Sequence, residues 1–382
     1  MMLVLVRMRI GVDARPLSGM RGGIGNYLHA LLQALAPLSD HEFLLYSHRP
    51  IDLPANGPRW RARVRPGLLE PGPLWLQLHA PRLLTRDRVD LFWGAHFLLP
   101  LGLRRDIPTA LTVYDLVPVL FPQTMQWRNY AVMRMFLRPS LRRAQHVMTI
   151  SQTVADDLQR LMGIAPEGIT VIPPGVRDGF VPGDPDEARR RVRDRWELSR
   201  PYLLTVGAVE PRKNLVTLLD AMARLPGQVR DRYHLVVVGA PGWKRSAVRA
   251  LAAPFVRDGT VRFLGYAPDA EMPSLYAGAD LFVYPSLYEG FGIPVAEAMA
   301  CGAPVVASDI PALREVAGTA ATYVAPTDGS AWARTIERVL GDGPLLESMR
   351  VLGLERAGAL SYDRSARRVL TVLEELASSV DR

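Results

Sequence analysis

Two rhythms of apolar residues alternate along this chain. Short runs that are apolar at nearly every position recur, each followed by a stretch in which apolar residues return every three or four positions. The runs Ile10–Ala14, Ala110–Val113, His146–Ser151, Thr170–Ile172, Tyr202–Val206, His234–Gly239, Val261–Leu264, Leu281–Ser286 and Pro304–Ser308 read as buried strands. Strands without polar alternation are those covered on both faces, as in parallel sheets flanked by helices. Helices are predicted over Asn26–Ala36, where Tyr27, Leu28, Leu31, Leu32 and Leu35 share one face, and over Gln152–Leu161, Glu187–Trp196, Leu215–Arg224 and Asp363–Leu376. Arg59–Arg65 alternates basic and apolar residues as a half-exposed strand does. Residues 74–84 and 127–143 have helical spacing, with Pro139 expected to interrupt the second.

The alternation stops in residues 173–187 (PPGVRDGFVPGDPDE), which are dense in Pro and Gly and read as a linker. Asp184 and Asp186 within it read as a turn and a helix cap rather than a metal motif. Beyond it the same rhythm restarts, and 382 residues exceed one ordinary core. An α/β chain of two domains is therefore predicted.

Composition narrows the class. The hydrophobic share of 48% and charged share of 22% are those of a globular protein. The single cysteine, Cys301, excludes an internal disulfide, points to a reducing compartment and reads as packing. The opening MMLVLV is too short for a signal-peptide core or a membrane span, so a cytoplasmic location is expected. The strand-like start at Met8 raises the expectation that residues 1–7 come from an upstream start codon. The net charge of +8 lies wholly in the first part: residues 1–178 hold 21 arginines against 13 acids, the remainder 25 basic against 25 acidic. Such a field suits an anionic partner. Nucleic acid is disfavoured because no recognition motif accompanies the charge. The Trp- and Arg-containing stretches 74–84 and 127–143 fit either core helices with a solvated arginine face or helices lying on an anionic membrane.

Residues 289–302 (EGFGIPVAEAMACG) hold the densest candidate chemistry. They join a strand to a helix expected from Pro294 and ended by Gly302 in the left-handed region. An open helix N-terminus at a strand's carboxyl end favours an anion, and Gly290 and Gly292 let backbone approach it. Glu289 before the helix and Glu297 in its expected first turn accept hydrogen bonds from hydroxyls. A nucleotide sugar, with phosphate between two hydroxyl-rich rings, satisfies both requirements. Glycines that merely turn and a glutamate that merely complements the helix dipole explain the stretch as well. Arg212 and Lys213, the latter one of only two lysines, precede the helix Leu215–Arg224 and form a second candidate anion site. Gly22, Gly23 and Gly25 lie between the first strand and its helix. Tyr114 and Asp115 end the strand Ala110–Val113, where Asp115 fits a site role or a cap, and His96 ends another candidate strand.

Glu289 and Glu297, with Gly290-Phe291-Gly292 between them, resemble the signature of retaining glycosyltransferases of the GT-B family 4. Glu210–Asn214 resembles that family's diphosphate-binding element, although Ala208 stands where some members carry arginine. Asp115, Leu116 and Pro118 match a further motif, in which Tyr114 replaces the usual histidine. The resemblance implies two Rossmann-like domains facing each other across a cleft. These would be an acceptor domain over 8–178, a nucleotide-sugar domain over 179–360, and a helix in 361–382 crossing back to the first. It implies transfer with retained configuration, without metal or cofactor, the leaving phosphate oxygen taking the acceptor's proton. Glu289 would hold sugar hydroxyls, Glu297 the ribose, and Asp115 would position sugar or acceptor. Arg212 and Lys213 would stabilise the leaving diphosphate, while Gly23, Gly25, Gly290, Phe291, Gly292 and Tyr266 shape the donor site.

The implied reaction moves a hexose, mannose first, from a GDP-sugar to a glycan or polyprenyl-diphosphate-linked acceptor of a surface polysaccharide. It would occur at the inner face of the membrane. An epimerase or hydrolase of the nucleotide sugar, or a silent nucleotide-sugar-binding scaffold, are the rival expectations.

Overall fold

The computed structural model describes residues 7–19, 22–54, 59–66, 72–240, 242 and 246–378. Residues 1–6 of the suspected extension and Lys244 lie outside them. The chain forms two compact units, Met1–Gly175 with Ser361–Arg382, and Val176–Leu360.

The first unit is a seven-stranded parallel sheet in the order β3-β2-β1-β4-β5-β6-β7. Its strands are β1 (Arg9–Asp13), β2 (Glu42–Ser47), β3 (Trp60–Val64), β4 (Leu91–Gly94), β5 (Thr109–Val113), β6 (His146–Thr149) and β7 (Ile169–Val171). The central strands are largely apolar because both faces are covered: Ile10, Val12, Phe92, Trp93, Ala110 and Leu111 are fully buried. β2, unread in the sequence, and β4, the candidate strand before His96, flank β1. The helix after β1 runs over Gly23–Leu35, so Gly23 and Gly25 belong to its first turn instead of a loop before it. The expected helix at 74–84 is two helices, Gly72–Leu78 and Ala80–Arg86, since Pro81 starts a new first turn. Trp127–Arg143, by contrast, continues through Pro139, which cannot donate to the Met135 carbonyl one turn back; Met135 is exposed, where solvent has access.

The C-terminal helix, Tyr362–Ser378, belongs to this unit and packs on helix Gly23–Leu35. Ser365 Oγ donates to the Pro173 carbonyl at 2.5 Å and Arg368 to that of Val171 at 3.1 Å.

The second unit is a six-stranded parallel sheet in the order β10-β9-β8-β11-β12-β13. Its strands are β8 (Tyr202–Val206), β9 (His234–Val238), β10 (Val261–Gly265), β11 (Leu281–Tyr284), β12 (Val305–Ser308) and β13 (Ala321–Val324). Their apolar side chains and those of helices Leu215–Arg224 and Gly329–Leu340 form one core around Trp332. Asp184 caps the helix Pro185–Trp196 by accepting the Asp186 amide, as the residue types predict.

In both sheets the strand order reverses once, between β1 and β4 and between β8 and β11. Ligands of doubly wound sheets bind beyond the carboxyl ends of the strands at such a reversal. Each unit therefore carries one place where chemistry is expected.

Candidate active site

At the reversal in the second unit, the loops after β8 and β11 are bonded into one cluster. The carboxylate of Glu289 lies 2.6 Å from Lys213 Nζ and 3.0 Å from Arg212 Nη1, and accepts the Tyr284 hydroxyl at 3.0 Å. Lys213 also donates to the Tyr284 hydroxyl oxygen at 2.7 Å. Arg212 donates to the Tyr288 carbonyl at 2.8 Å and to Glu210 at 2.9 Å. Burial alone pushes the Glu289 carboxyl up, but Arg212 and Lys213 outweigh it and hold the group down at about 2, against an ordinary 4.5. Two acids and two cations balance, so the cluster is a preformed, charge-neutral fork.

Asn214 anchors this arrangement. It sits in the left-handed region at φ 54°, which asparagine tolerates. Its amide donates to the carbonyls of Pro285 at 3.0 Å and Pro326 at 2.7 Å, tying three loops together.

The helix after β11 spans Ile293–Ala300, so Glu297 is just past the first turn and not within it as expected. Gly292 caps it at φ 108°, and a Cβ there would stand 2.6 Å from Leu313 Cδ2, so only glycine fits. Gly302 is left-handed at φ 78° and ends the element, as predicted. In the loop before the helix, Gly290 and Phe291 are both buried.

Glu297 occupies a separate network. Its Oε1 accepts from Arg177 Nε at 3.1 Å and Nη2 at 2.8 Å, and its Oε2 accepts the Tyr276 hydroxyl at 3.2 Å. Arg177 also donates to Asp269 at 2.8 Å and lies 4.6 Å over the Phe180 ring. Burial raises the Glu297 carboxyl above its ordinary value against the pull of Arg177. The two acids are held by opposite ends of a ring column, Tyr276–Phe282–Tyr284, with centroids 5.5 and 5.7 Å apart. Arg177, in a stretch expected to be a mere linker, is thus part of the site. No periodicity or motif pointed to it, because its partners lie far along the chain.

In the first unit, Asp115 is half-buried and its Oδ1 accepts the Val117 amide at 3.0 Å, a tight turn that leads into the short helix Val117–Leu120. Tyr114 is buried and its hydroxyl donates to the Ala95 carbonyl at 2.7 Å. Tyr27 and Phe97 meet its ring edge-on. Gly23 has open space where a Cβ would be. In the second unit Tyr266 is exposed after β10, and Cys301 is buried, its thiol pushed up to about 12 by burial.

Two doubly wound sheets, each with one reversal of strand order, give the two-domain α/β architecture that many nucleotide-binding enzymes share. Residues 186–353 match the family Glycosyl transferases group 1, and residues 21–180 match Glycosyltransferase Family 4. The chain is 33% identical over 293 residues to O-antigen chain mannosyltransferase B of Escherichia coli, covering 76% of each chain. It is 31% identical over 279 residues to O-antigen chain mannosyltransferase RfbU of Salmonella typhimurium, covering 73% of this chain and 72% of that one. Among solved structures, a sucrose-phosphate synthase from Thermosynechococcus elongatus superposes with a TM-score of 0.80 at 22% identity, over 98% of this chain and all of that one. The chain belongs to the group 1, family 4 glycosyltransferases, has the GT-B fold and is a glycosyltransferase.

Proposed function

We propose that the protein transfers mannose from GDP-mannose, with retained configuration, to a glycan or polyprenyl-diphosphate-linked glycan during O-antigen-type polysaccharide synthesis. The observation that carries this reading is the fork of Arg212 and Lys213 against Glu289 at the reversal between β8 and β11. In the reaction the bond from sugar C1 to the phosphate oxygen breaks and a bond from C1 to an acceptor hydroxyl oxygen forms on the same face. The hydroxyl proton passes to the phosphate oxygen. Negative charge grows on the diphosphate, and two cations already fixed in place stabilise it without reorganising. Glu289 holds sugar hydroxyls beside that charge, and Glu297, fixed by Arg177 and Tyr276, holds the ribose. Gly290, Phe291, Gly292 and Tyr266 shape the donor site of the second unit. The mannose preference rests on the two O-antigen mannosyltransferase relatives.

The protein acts in the cytoplasm at the inner membrane face. No helix among the described residues is long and apolar enough to cross a membrane. Support for peripheral contact comes from helix Trp127–Arg143, which exposes Trp127 (75%) and Met135 (64%) among Arg128, Arg134, Arg138 and Arg142.

The test is a panel of GDP- and UDP-sugars, scored by thermal shift and by NMR of the product's anomeric centre with oligomannoside acceptors. Selective stabilisation by GDP-mannose and an α-linked product are expected. Free mannose or an isomer formed equally fast without acceptor would instead establish a hydrolase or epimerase, and donor binding without turnover a scaffold.

A further inference from the structure

The amino ends of the second sheet, away from the fork, carry a feature that the transfer chemistry does not use. Between helix Pro185–Trp196 and the segment leading into β8 lies a cavity of about 440 Å³, lined by Arg189, Arg190, Arg193 and Arg200 with Asp186 as the one acid among them. Residues 184–200 hold six arginines and five acids, so the stretch as a whole is close to neutral. The fold sorts these charges: four of the arginines line the cavity and one of the acids does. The two remaining arginines are paired elsewhere, Arg191 with Glu187 at 2.6 Å and Arg195 with Glu271 at 3.1 Å.

Counter-charge at the cavity is thin. Arg189 is bonded to Asp186 at 3.2 Å and to Asp280 at 3.1 Å, and Asp280 in turn accepts the Tyr202 amide at 3.0 Å, so this guanidinium is tied to the first residue of β8. Arg193 reaches only its exposed neighbour Asp194, at 3.6 Å. Arg190 and Arg200 have neither an ion pair nor a hydrogen bond from their side chains among the described residues. A solvated helix face explains Arg190 and Arg193, which are neighbours at helical spacing. It does not explain Arg200, which comes from the loop after the helix and lines the same cavity.

The chemistry of the lining selects a ligand class. Guanidinium groups present paired N–H donors that match phosphate oxygens, and cations that share a cavity repel one another until an anion lies among them. Small-molecule sites span about 300–1,000 Å³, so the cavity holds more than an inorganic ion, and the buried Tyr202 adds apolar surface to it.

We propose that this cavity binds the phosphate monoester of a small molecule, at a site separate from the donor fork. β8 has five residues, so roughly 16 Å of strand lie between its amino end and the loop that carries Arg212 and Lys213. The monoester could belong to a soluble sugar phosphate or to the head group of an anionic lipid, and the test separates the two.

The full chain is titrated by calorimetry with mannose 6-phosphate, with mannose as the uncharged control, and sedimented with phosphatidylcholine vesicles containing or lacking phosphatidic acid. The wild type is expected to bind mannose 6-phosphate and not mannose, more weakly as salt rises. Affinity should fall about tenfold in Arg190→Ala and about tenfold in Arg200→Ala, each the loss of one bond to a charged group. Both side chains are exposed, so these variants should keep the wild-type denaturation midpoint. Lys213→Gln, at the fork, should leave this binding as it was. Binding in solution assigns the site to a soluble phosphate ester; retention on phosphatidic acid vesicles alone, lost in the same two variants, assigns it to a lipid head group. No binding in either arm, or binding equal in the wild type and both arginine variants, overturns the site. Binding lost in Lys213→Gln instead moves the phosphate to the fork and overturns it as well. None of these readouts depends on transfer, so they leave the transferase reading untouched whichever way they fall.

Discussion

The two strand-order reversals solve one electrostatic problem in opposite ways. At β1/β4 the acid and its cation are two residues apart, Asp13 and Arg15, and the pair is almost sealed, with side chains 0% and 4% exposed. At β8/β11 the acid comes from one loop and the cations from another, 76 residues away for Lys213, and they are shared with Glu210, Tyr284 and a backbone carbonyl. The local pair forms as soon as the turn does and has little else to bind. The long-range fork exists only when the sheet is assembled, and each of its cations keeps a second partner. On the proposed reading, one charge is fixed for shape and the other is available for a ligand.

The largest effect should come from the sealed pair. Asp13→Ala leaves a buried guanidinium without its counter-charge and is expected to cost about 3–5 kcal/mol, read as a lowered denaturation midpoint. Acid should come next. Glu289 is held below its ordinary value, so its contribution is complete above pH 4.5 and disappears as pH falls through about 2; roughly 3 kcal/mol is lost across that window, measurable by denaturant titration at each pH. Glu289→Gln should cost only about 2 kcal/mol, since Arg212 keeps Glu210, yet lower kcat by on the order of a hundredfold. Equal losses of stability in Asp13→Ala and Glu289→Gln would end the distinction between sealed and shared charge. Smallest is Tyr114→Phe, which removes one buried hydrogen bond to Ala95 for about 1 kcal/mol and should leave turnover as it was. A large fall in kcat there would make Tyr114 part of the site.

Much of this was readable in the sequence where the cause is local. Unbroken apolar runs marked the buried strands, and Pro294 and Gly302 bracketed their helix to within a residue because each has a single conformational reason to be there. β2 and β13 went unread, as did the break at His79 and the continuity through Pro139. The site followed the same division. Glu289 and the Arg212-Lys213 doublet stood out by type and position, whereas their union depends on loop closure by Asn214. Arg177 escaped notice because a lone arginine among prolines and glycines has no pattern until Glu297 is folded against it.

Cys301 has a practical consequence. It is the chain's single thiol, and it lies in the second unit, shut away with a raised proton affinity. Thiolate, not thiol, reacts with alkylating reagents. The native protein should therefore ignore iodoacetamide and capture it only during excursions that open the Ile293–Ala300 helix. Trapping rates would clock the breathing of that one region with no engineered label, and any slowing by an added nucleotide would report where it docks.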